Sequence, residues 1–285
     1  MISSEQFEKE LDLIISNAIR EDVGDGDHSS LSCIPKAARG KAKLLIKEDG
    51  ILAGVEFAKQ VFAYVDKDLK VNVFISDGKQ VKVNDIAFTV EGSSQSILKA
   101  ERLVLNAMQR MSAIATKTKT FVDVLEGTKT KILDTRKTTP GIRAIEKWAV
   151  KIAGGENHRF ALYDMIMLKD NHIDYAGGIT KAIQKTNEYL KENGLDLKII
   201  VEARDLDEVD EILKNQNVYR ILLDNFSYRD TKEAVKRIAN RCLTESSGGI
   251  TLETARAYAK CGVDFISSGA LTHSVYNMDM SLKAI

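Results

Sequence analysis

The sequence predicts an α/β protein in which an N-terminal α+β domain is followed by a series of parallel βα units. Beyond about residue 125, short apolar runs alternate with amphipathic segments, which is typical of parallel βα units. Residues 68–92 instead alternate apolar and polar side chains around an Asp77-Gly78 turn, a pattern that indicates antiparallel strands. The 285 residues suffice for one large barrel or for two domains, and the change of pattern favours two.

The N-terminal elements follow from periodicity in chain order. Apolar positions at helical spacing predict a helix over residues 4–21, with either of two preceding serines available as its cap. Residues 54–65 predict another helix before the antiparallel strands. A long helical pattern from residue 93 to about 125, in one or two helices, joins this part to the rest. We therefore place an N-terminal α+β domain at residues 1–112.

The rest of the chain predicts β/α units over residues 113–271. Amphipathic segments separate about six apolar runs, which read KILDT, MIMLK, LKIIVEA, RILLDN, CLTES and VDFISSG. Because this part has no dinucleotide-type glycine fingerprint, the pattern favours a closed barrel over an open doubly wound sheet. Periodicity alone leaves closure of the sheet open.

Composition limits the classes of partner and location. The 41 basic and 41 acidic side chains give zero formal net charge, which excludes binding to nucleic acid or an anionic membrane by bulk charge. The opening segment mixes charges into its apolar positions, unlike a signal peptide or membrane span, so we expect a cytoplasmic protein. Cys33, Cys242 and Cys261 have neither disulfide nor metal-ligand spacing, and we expect buried, reduced thiols.

Three cationic clusters, DTRKTTPGIR, GGENHR and LKDNH, lie at the ends of apolar runs. Because β/α barrels build their sites where the carboxyl ends of the strands meet, these clusters should share one pocket. Arginine grips a carboxylate through two parallel hydrogen bonds, and lysine acts as a point charge suited to phosphate. The predicted ligand is therefore rich in carboxylate and phosphate, and its candidate contacts are Arg136, Lys137, Arg143, His158, Arg159, Lys169 and His172.

Acidic and small residues end the other predicted strands. Glu202 and Asp224 end two neighbouring runs, where carboxylates suit ribose hydroxyls and Mg²⁺, which prefers oxygen ligands. Two later runs are followed by small residues whose backbone N–H groups can approach phosphate oxygens. These residues are Ser246, Ser247, Gly248, Gly249, Ser268 and Gly269.

Seven ordered motifs resemble those of the quinolinate phosphoribosyltransferases, the decarboxylating nicotinate-nucleotide pyrophosphorylases of NAD biosynthesis. They read TRKTTPG, GGENHR, LKDNH, IVEA, ILLDN, ESSGGI and SGALTHS, and the resemblance runs nearly end to end. It implies an N-terminal α+β sandwich-like domain, a C-terminal β/α barrel, and a tail at residues 272–285 that packs on the N-terminal domain. It also implies transfer of phosphoribose from phosphoribosyl pyrophosphate to quinolinate with decarboxylation, which yields nicotinate mononucleotide, pyrophosphate and CO₂.

The resemblance also implies residue roles. The quinolinate contacts are Arg102, Arg136, His158, Arg159 and Lys169. Arg102 would reach the site of the partner subunit in a homodimer or a higher oligomer of dimers. Lys137, Glu202 and Asp224 would be catalytic and would bind phosphoribosyl pyrophosphate together with the small residues named above. Mg²⁺ would lie at Glu202 and Asp224, partly held through the substrate. Neither nucleic acid nor a membrane is expected as a partner.

Two other functions stay open from the sequence. Lys169 at a barrel strand end suits a Schiff base, as in an aldolase-like lyase. A binding or accessory protein on the same scaffold, such as the related molybdenum-transport-associated paralogues, is the other alternative, although the intact KDNH motif argues against it. The segment MSAIAT departs at Ala113 from the family's usual SGIAT.

Overall fold

A computed structural model of the chain describes residues 2–285 and confirms the α/β class. Contacts within the chain divide it into two compact units. The N-terminal unit comprises Ile2–Lys119, Lys137–Gly154 and Leu271–Ile285. The parallel-sheet unit comprises Thr120–Arg136 and Gly155–Ala270.

The elements alternate along the chain. The strands are β1 (Arg39–Ile46), β2 (Gly50–Ile51), β3 (Lys70–Val73), β4 (Gln80–Val81), β5 (Ile86–Ser93), β6 (Lys131–Leu133), β7 (Ile166–Leu168), β8 (Ile199–Ala203), β9 (Val218–Asp224), β10 (Leu243–Ser247), β11 (Phe265–Ser267) and β12 (Met280–Ala284). The helices are α1 (Ser4–Val23), α2 (His28–Cys33), α3 (Val55–Val65), α4 (Ser94–Val124), α5 (Arg143–Ile152), α6 (Asp170–Ala176), α7 (Ile179–Glu192), α8 (Leu206–Ile212), α9 (Tyr228–Ile238), α10 (Leu252–Lys260) and α11 (Ala270–His273).

An antiparallel sheet with the strand order β12-β1-β5-β3 forms the base of the N-terminal unit. Alternate residues of β1 are buried, namely Ala42, Leu44 and Ile46, as expected for a strand with one face on a core. Phe62 of α3 meets Phe88 of β5 edge-on, with ring centroids 5.9 Å apart. The aromatic contact joins the apolar face of α3 to this sheet.

The helices predicted for the N-terminal part are confirmed. Helix α1 begins at Ser4, and the side chain of Ser3 accepts a hydrogen bond from the backbone N–H of Gln6 at 3.1 Å, which satisfies one donor of the first turn. The long pattern forms the single helix α4 rather than two.

Asp77 and Gly78 do not join two paired strands. The strand before them, β3, pairs with β5, whereas the strand after them, β4, pairs with β2. Asp77 instead accepts hydrogen bonds from the backbone N–H groups of Val55 and Glu56, at 2.8 and 3.3 Å. A carboxylate at the start of α3 satisfies donors that the helix cannot, which explains the acidic residue at this turn.

Two segments from later in the chain complete the N-terminal unit. Strand β12 pairs antiparallel with β1, with Leu282 opposite Leu44. Helix α5 also belongs here, and its Trp148 packs edge-on against Phe7 of α1, with ring centroids 5.4 Å apart. The contacts therefore group Lys137–Gly154 with the N-terminal strands, whereas the sequence places residues 113–271 in one domain.

The parallel-sheet unit contains all the apolar runs that were predicted as strands. Its six strands have the order β6-β11-β10-β9-β8-β7, and every pair is parallel. The end strands β6 and β7 do not pair with each other within residues 2–285, and Glu156 instead adds a parallel bridge to Leu133 of β6. The expected β/α barrel is confirmed as a barrel-like parallel sheet, but the described strand pairs do not close a ring.

The cysteines are free, and the expectation of burial is wrong for them. Cys33 is exposed, and Cys242 and Cys261 are partly exposed. Cys33 lies in α2, a six-residue helix in which only Ser30 is buried, so this helix has no apolar face that would cover the thiol.

None of the helices within residues 2–285 combines the length and apolar character needed to cross a membrane.

Leu44→Ala should lower the free energy of unfolding by about 2–5 kcal/mol, because it leaves a cavity under a strand that is paired on both edges. Chemical denaturation measures the change. The control is Leu13→Ala on α1, where the side chain is 56% exposed and the expected change is within about 0.5 kcal/mol. Equal destabilisation by both variants would contradict the assigned core.

Candidate active site

The carboxyl ends of the parallel strands bring the predicted site residues of the parallel-sheet unit to one edge. Because neighbouring strands run in the same direction, the residues that end each strand lie along that edge. In sheet order from β6 to β7, the residues at the strand ends or within a few residues after them are Arg136, Ser268 and Gly269, Ser246 to Gly249, Asp224, Glu202, and Lys169.

A buried carboxylate holds the second cationic cluster beside the first. Asp134, directly after β6, is fully buried and accepts hydrogen bonds from the backbone N–H of His158 at 2.9 Å and from Nδ2 of Asn157 at 2.5 Å. The segment that carries His158 and Arg159 is thereby tied to the end of β6, the strand that Arg136 follows. These bonds bring residues 157–159 to the end of β6 although the two segments are more than 20 residues apart in sequence.

The charges of Arg136 and Arg159 influence each other. Arg159 is only 7% exposed, and its Nη1 donates to the carbonyl oxygen of Met165 at 3.2 Å. Burial, and then the nearby charge of Arg136, lower the pKa of the Arg159 guanidinium below its ordinary value. A buried guanidinium that also feels the charge of an exposed arginine suits an anion, because a carboxylate relieves both effects.

The loop after Arg159 is ordered by a single carboxylate. Asp164 accepts hydrogen bonds from the backbone N–H groups of Phe160 and Ala161, each at 2.8 Å. Asp164 also raises the pKa of Arg159, which partly opposes the effect of burial and of Arg136. The turn therefore fixes the backbone next to Arg159 and supplies a compensating charge.

An acidic cluster occupies the β7–β9 part of the edge. Nζ of Lys169 lies 3.6 Å from Oε2 of Glu202, a side chain that is mostly buried. Burial raises the pKa of the Glu202 carboxyl above its ordinary value, Lys169 opposes this rise, and the charges of Asp224 and Asp170 add to it. The predicted pair Glu202 and Asp224 is thus close enough to interact electrostatically.

The small residues after β10 form a tight turn. Gly248 has a φ of +94°, and a Cβ there would lie 2.2 Å from Oδ1 of Asn225, so only glycine fits. The backbone N–H of Asn225 donates to the carbonyl oxygen of Ser247 at 2.8 Å, and its side chain donates to Asp224 at 2.8 Å. The turn after β10 is therefore coupled to the carboxylate that ends β9.

Ser246 and Ser268 have different surroundings. Ser268 is buried, and its hydroxyl donates to the carbonyl oxygen of Ile250 at 3.1 Å. Ser246 is 1% exposed, and its hydroxyl has no hydrogen-bond partner among residues 2–285. A buried hydroxyl without a partner costs free energy, which a ligand oxygen within reach would recover.

Sequence analysis missed a buried ion network beneath His158. Nε2 of His158 lies 3.3 Å from Oε2 of Glu245, and Nη1 of Arg220 donates to the same oxygen at 2.6 Å. Burial alone would raise the pKa of the Glu245 carboxyl, but His158 and Arg220 hold it well below its ordinary value. Charged residues inside the otherwise apolar runs RILLDN and CLTES were the available signal, since buried charges require partners.

Three predicted residues, Lys137, Arg102 and Arg143, belong to the N-terminal unit. The backbone oxygen of Lys137 accepts a hydrogen bond from the hydroxyl of Thr272 at 2.9 Å. Arg102 is exposed on α4 and lines an open groove of about 350 Å³, together with Asp27 and Glu101. Nε of Arg143, the remaining arginine of the first cluster, donates to the hydroxyl of Thr138 at 2.9 Å, so this contact orders the same turn.

Nearly the whole chain is similar to known proteins of one family. The family models for the N-terminal and C-terminal domains of quinolinate phosphoribosyl transferase match residues 27–112 and 114–283. A decarboxylating quinolinate phosphoribosyltransferase 1b of Nicotiana tabacum is 46% identical over 95% of this chain and 81% of its own length. A probable carboxylating nicotinate-nucleotide pyrophosphorylase of Synechocystis is 39% identical over 94% of this chain and 90% of its own. The solved nicotinate-nucleotide pyrophosphorylase of Francisella tularensis superposes with a TM-score of 0.89 at 36% identity, covering 97% and 96% of the two chains.

Glu202→Gln should stabilise the folded protein at neutral pH while it lowers turnover. A raised carboxyl pKa means that the ionised form destabilises the folded state. This penalty is absent below the ordinary pKa of 4.5, develops as the pH rises through the raised folded-state pKa, and is fully present above it. The gain in unfolding free energy should therefore be larger at pH 7 than at about pH 4.

Denaturant titrations of wild type and variant at both pH values measure this difference. The control is Glu8→Gln at an exposed position of α1, for which we expect little effect at either pH. If Glu202→Gln raised the free energy of unfolding more at acid pH than at neutral pH, the Glu202 pKa would not be raised in the folded protein, which would contradict the prediction.

Proposed function

We propose a function for this chain from the premise that it belongs to the quinolinate phosphoribosyltransferase family. It is a phosphoribosyltransferase, a nicotinate-nucleotide pyrophosphorylase, that acts on quinolinate and phosphoribosyl pyrophosphate with decarboxylation. The interacting charges of Arg136 and the buried Arg159 carry the assignment in structural terms, because they suit a ligand with more than one carboxylate.

Quinolinate is assigned to the cationic part of the edge. Arg136, His158 and Arg159 come from segments that Asp134 ties together, and Lys169 follows β7. Arginine can bind each carboxylate through paired N–H donors, and Lys169 adds a point charge. Nicotinate has only one carboxylate and would leave part of this positive charge uncompensated.

Phosphoribosyl pyrophosphate is assigned to the β8–β11 part of the edge. Glu202 and Asp224 suit the ribose hydroxyls, which donate hydrogen bonds to carboxylates. The 5′-phosphate is assigned to Ser246, Ser247, Gly248, Gly249, Ser268 and Gly269. Support comes from the buried, unpartnered hydroxyl of Ser246 and from the turn at Gly248, where small residues allow the backbone to approach phosphate oxygens. Lys137 is assigned to the pyrophosphate.

The reaction then follows from positioning and charge. The quinolinate nitrogen bonds to the anomeric carbon as the bond to pyrophosphate breaks, and Lys137 stabilises the charge that develops on the leaving group. Glu202 and Asp224 hold the ribose during the oxocarbenium-like state. When CO₂ departs, the electron pair of the broken bond stays on carbon 2, where the neighbouring positively charged ring nitrogen stabilises it, and a proton then bonds to carbon 2 in place of the carboxylate.

A magnesium ion is part of the proposal. No group of three or more His, Cys, Asp or Glu side chains within residues 2–285 is arranged to hold a metal by itself. Glu202 and Asp224 offer the carboxylate oxygens that Mg²⁺ prefers, and substrate oxygens would complete its coordination. Bound there, the ion would neutralise charge on the pyrophosphate.

The proposed enzyme is cytoplasmic and acts as a homodimer or a higher oligomer of dimers. Arg102 is assigned to the quinolinate site of the partner subunit. Its exposure on α4 supports a role in binding between subunits.

The lyase and accessory-protein alternatives are not favoured. A Schiff base requires an amine that is free to attack a carbonyl, whereas Nζ of Lys169 is paired with Oε2 of Glu202 at 3.6 Å. The relatives over most of the chain are pyrophosphorylases and phosphoribosyltransferases, which does not favour a transport-associated paralogue.

Wild-type protein should form nicotinate mononucleotide from quinolinate and phosphoribosyl pyrophosphate, with nicotinate a much poorer substrate. Arg136→Ala should raise the KM for quinolinate by about tenfold or more, because it removes a charge-assisted contact worth roughly 1.5–3 kcal/mol. Product formation, followed by chromatography, measures both effects.

The control is Arg237→Ala on α9. Arg237 pairs with Asp210 of α8 and with Glu233 of α9, and such surface ion pairs contribute little to stability, so we expect no change in the quinolinate KM. Absence of nicotinate mononucleotide from the wild-type reaction would overturn the proposed function. If the KM for quinolinate were unchanged in Arg136→Ala, Arg136 would not be a quinolinate contact.

Mixing Arg102→Ala chains with Lys137→Ala chains should restore part of the activity that each variant lacks alone. Each mixed dimer would contain one site with both residues intact, because Arg102 reaches the partner's site. Subunit exchange is verified by mass spectrometry of differently labelled chains. Exchange without recovered activity would rule out the sharing of Arg102.

A further inference from the structure

A closed ring of hydrogen bonds surrounds the turn that carries Lys137. The hydroxyl of Thr272 donates to the carbonyl oxygen of Lys137 at 2.9 Å. Two residues on, Thr139 donates through its backbone N–H to Oε2 of Glu146 at 3.0 Å and through its hydroxyl to Oε1 at 2.8 Å. Both sides of the turn are therefore anchored to groups outside it.

Arg110 of α4 joins the two anchors. Its Nε donates to Oε1 of Glu146 at 2.9 Å, and its Nη2 donates to the carbonyl oxygen of Thr272. Its Nη1 also lies 3.5 Å from the carbonyl oxygen of Val275. The ring thus runs from Lys137 through Thr139, Glu146, Arg110 and Thr272 back to Lys137, and we call it the Arg110 ring. All its members belong to the N-terminal unit.

The polar contacts of the Arg110 ring lie mostly in the interior of the protein. Glu146 and Thr272 are fully buried, and the side chain of Arg110 is 19% exposed. A buried ion pair is weak evidence for stability, since apolar residues of similar volume often serve equally well. What the Arg110 ring provides, and apolar packing cannot, is a defined position for the backbone of Lys137.

That position matters because of the lysine side chain. A lysine ammonium lies at the end of a flexible stem, so its range depends on where the backbone holds the Cα atom. We propose that Arg110, Glu146 and Thr272 are positioning residues that fix the Lys137 backbone and thereby aim its ammonium at the departing pyrophosphate. This inference rests on the proposed function, in which Lys137 stabilises that leaving group.

Thr272→Val tests the proposal with little disturbance. It replaces a buried hydroxyl by a methyl group of similar size and breaks the contact with Lys137, while the backbone oxygen that Arg110 uses remains. Substitution of Arg110 would leave the fully buried Glu146 without its cation, and substitution of Glu146 would leave the mostly buried Arg110 without its anion, so either change would also destabilise the fold.

The turnover number should fall about tenfold in Thr272→Val, whereas the equilibrium affinity for quinolinate should stay within about twofold of wild type. Thr272→Ser retains the hydroxyl and should restore turnover. The matched control is Thr118→Val, because Thr118 is also fully buried and its hydroxyl has no hydrogen-bond partner among residues 2–285. Steady-state kinetics with both substrates saturating and calorimetric titration with quinolinate give the two readouts.

The inference would be overturned if folded Thr272→Val had the same turnover as Thr118→Val. It would also be overturned if Thr272→Ser lost as much turnover as Thr272→Val. If Thr272→Val does not fold, Thr139→Val replaces it in the same assay, because Thr139 is more exposed. Lower turnover in Thr139→Val would support the proposal, and unchanged turnover would overturn it. An inactive wild-type protein would overturn the proposed function and, with it, this inference. An active wild type with unaffected variants would overturn the inference alone.

Discussion

The interaction between the charges of Arg136 and the buried Arg159 is the constraint on which the candidate site depends. Burial and the neighbouring like charge both disfavour the charged guanidinium of Arg159, which has a cost in free energy. The Asp164 turn and the Met165 carbonyl keep Arg159 in place despite that cost. A dicarboxylate supplies the missing counter-charge through paired hydrogen bonds, which makes quinolinate a better match than a monoacid.

Buried carboxylates behind the cations make this arrangement stable. Asp134 holds the backbone of His158, and Glu245 lies between His158 and Arg220. Each fully buried acidic group is compensated by a cation or by N–H donors, as buried charge requires. The Arg110 ring applies the same rule to the turn that carries Lys137. In both places, groups outside the proposed contacts hold the backbone of the cationic residues.

Much of the architecture could be predicted because it depends on local pattern. Periodicity located all the parallel strands, and the residues after them, including Arg136 and Lys169, lie at the expected edge. The missed features depend on contacts distant in sequence. Arg220 meets Glu245 only because β9 pairs with β10, and α5 joins the N-terminal unit through contacts such as that of Trp148 with Phe7. Local periodicity carries no signal for such pairings.

Calorimetric titration of the ligand-free protein with quinolinate and with nicotinate tests the central claim most directly. If Arg136 and Arg159 are held together for a dianion, quinolinate should bind at least about tenfold more tightly than nicotinate, because each charge-assisted contact contributes roughly 1.5–3 kcal/mol. Equal affinities for the two acids would contradict the account.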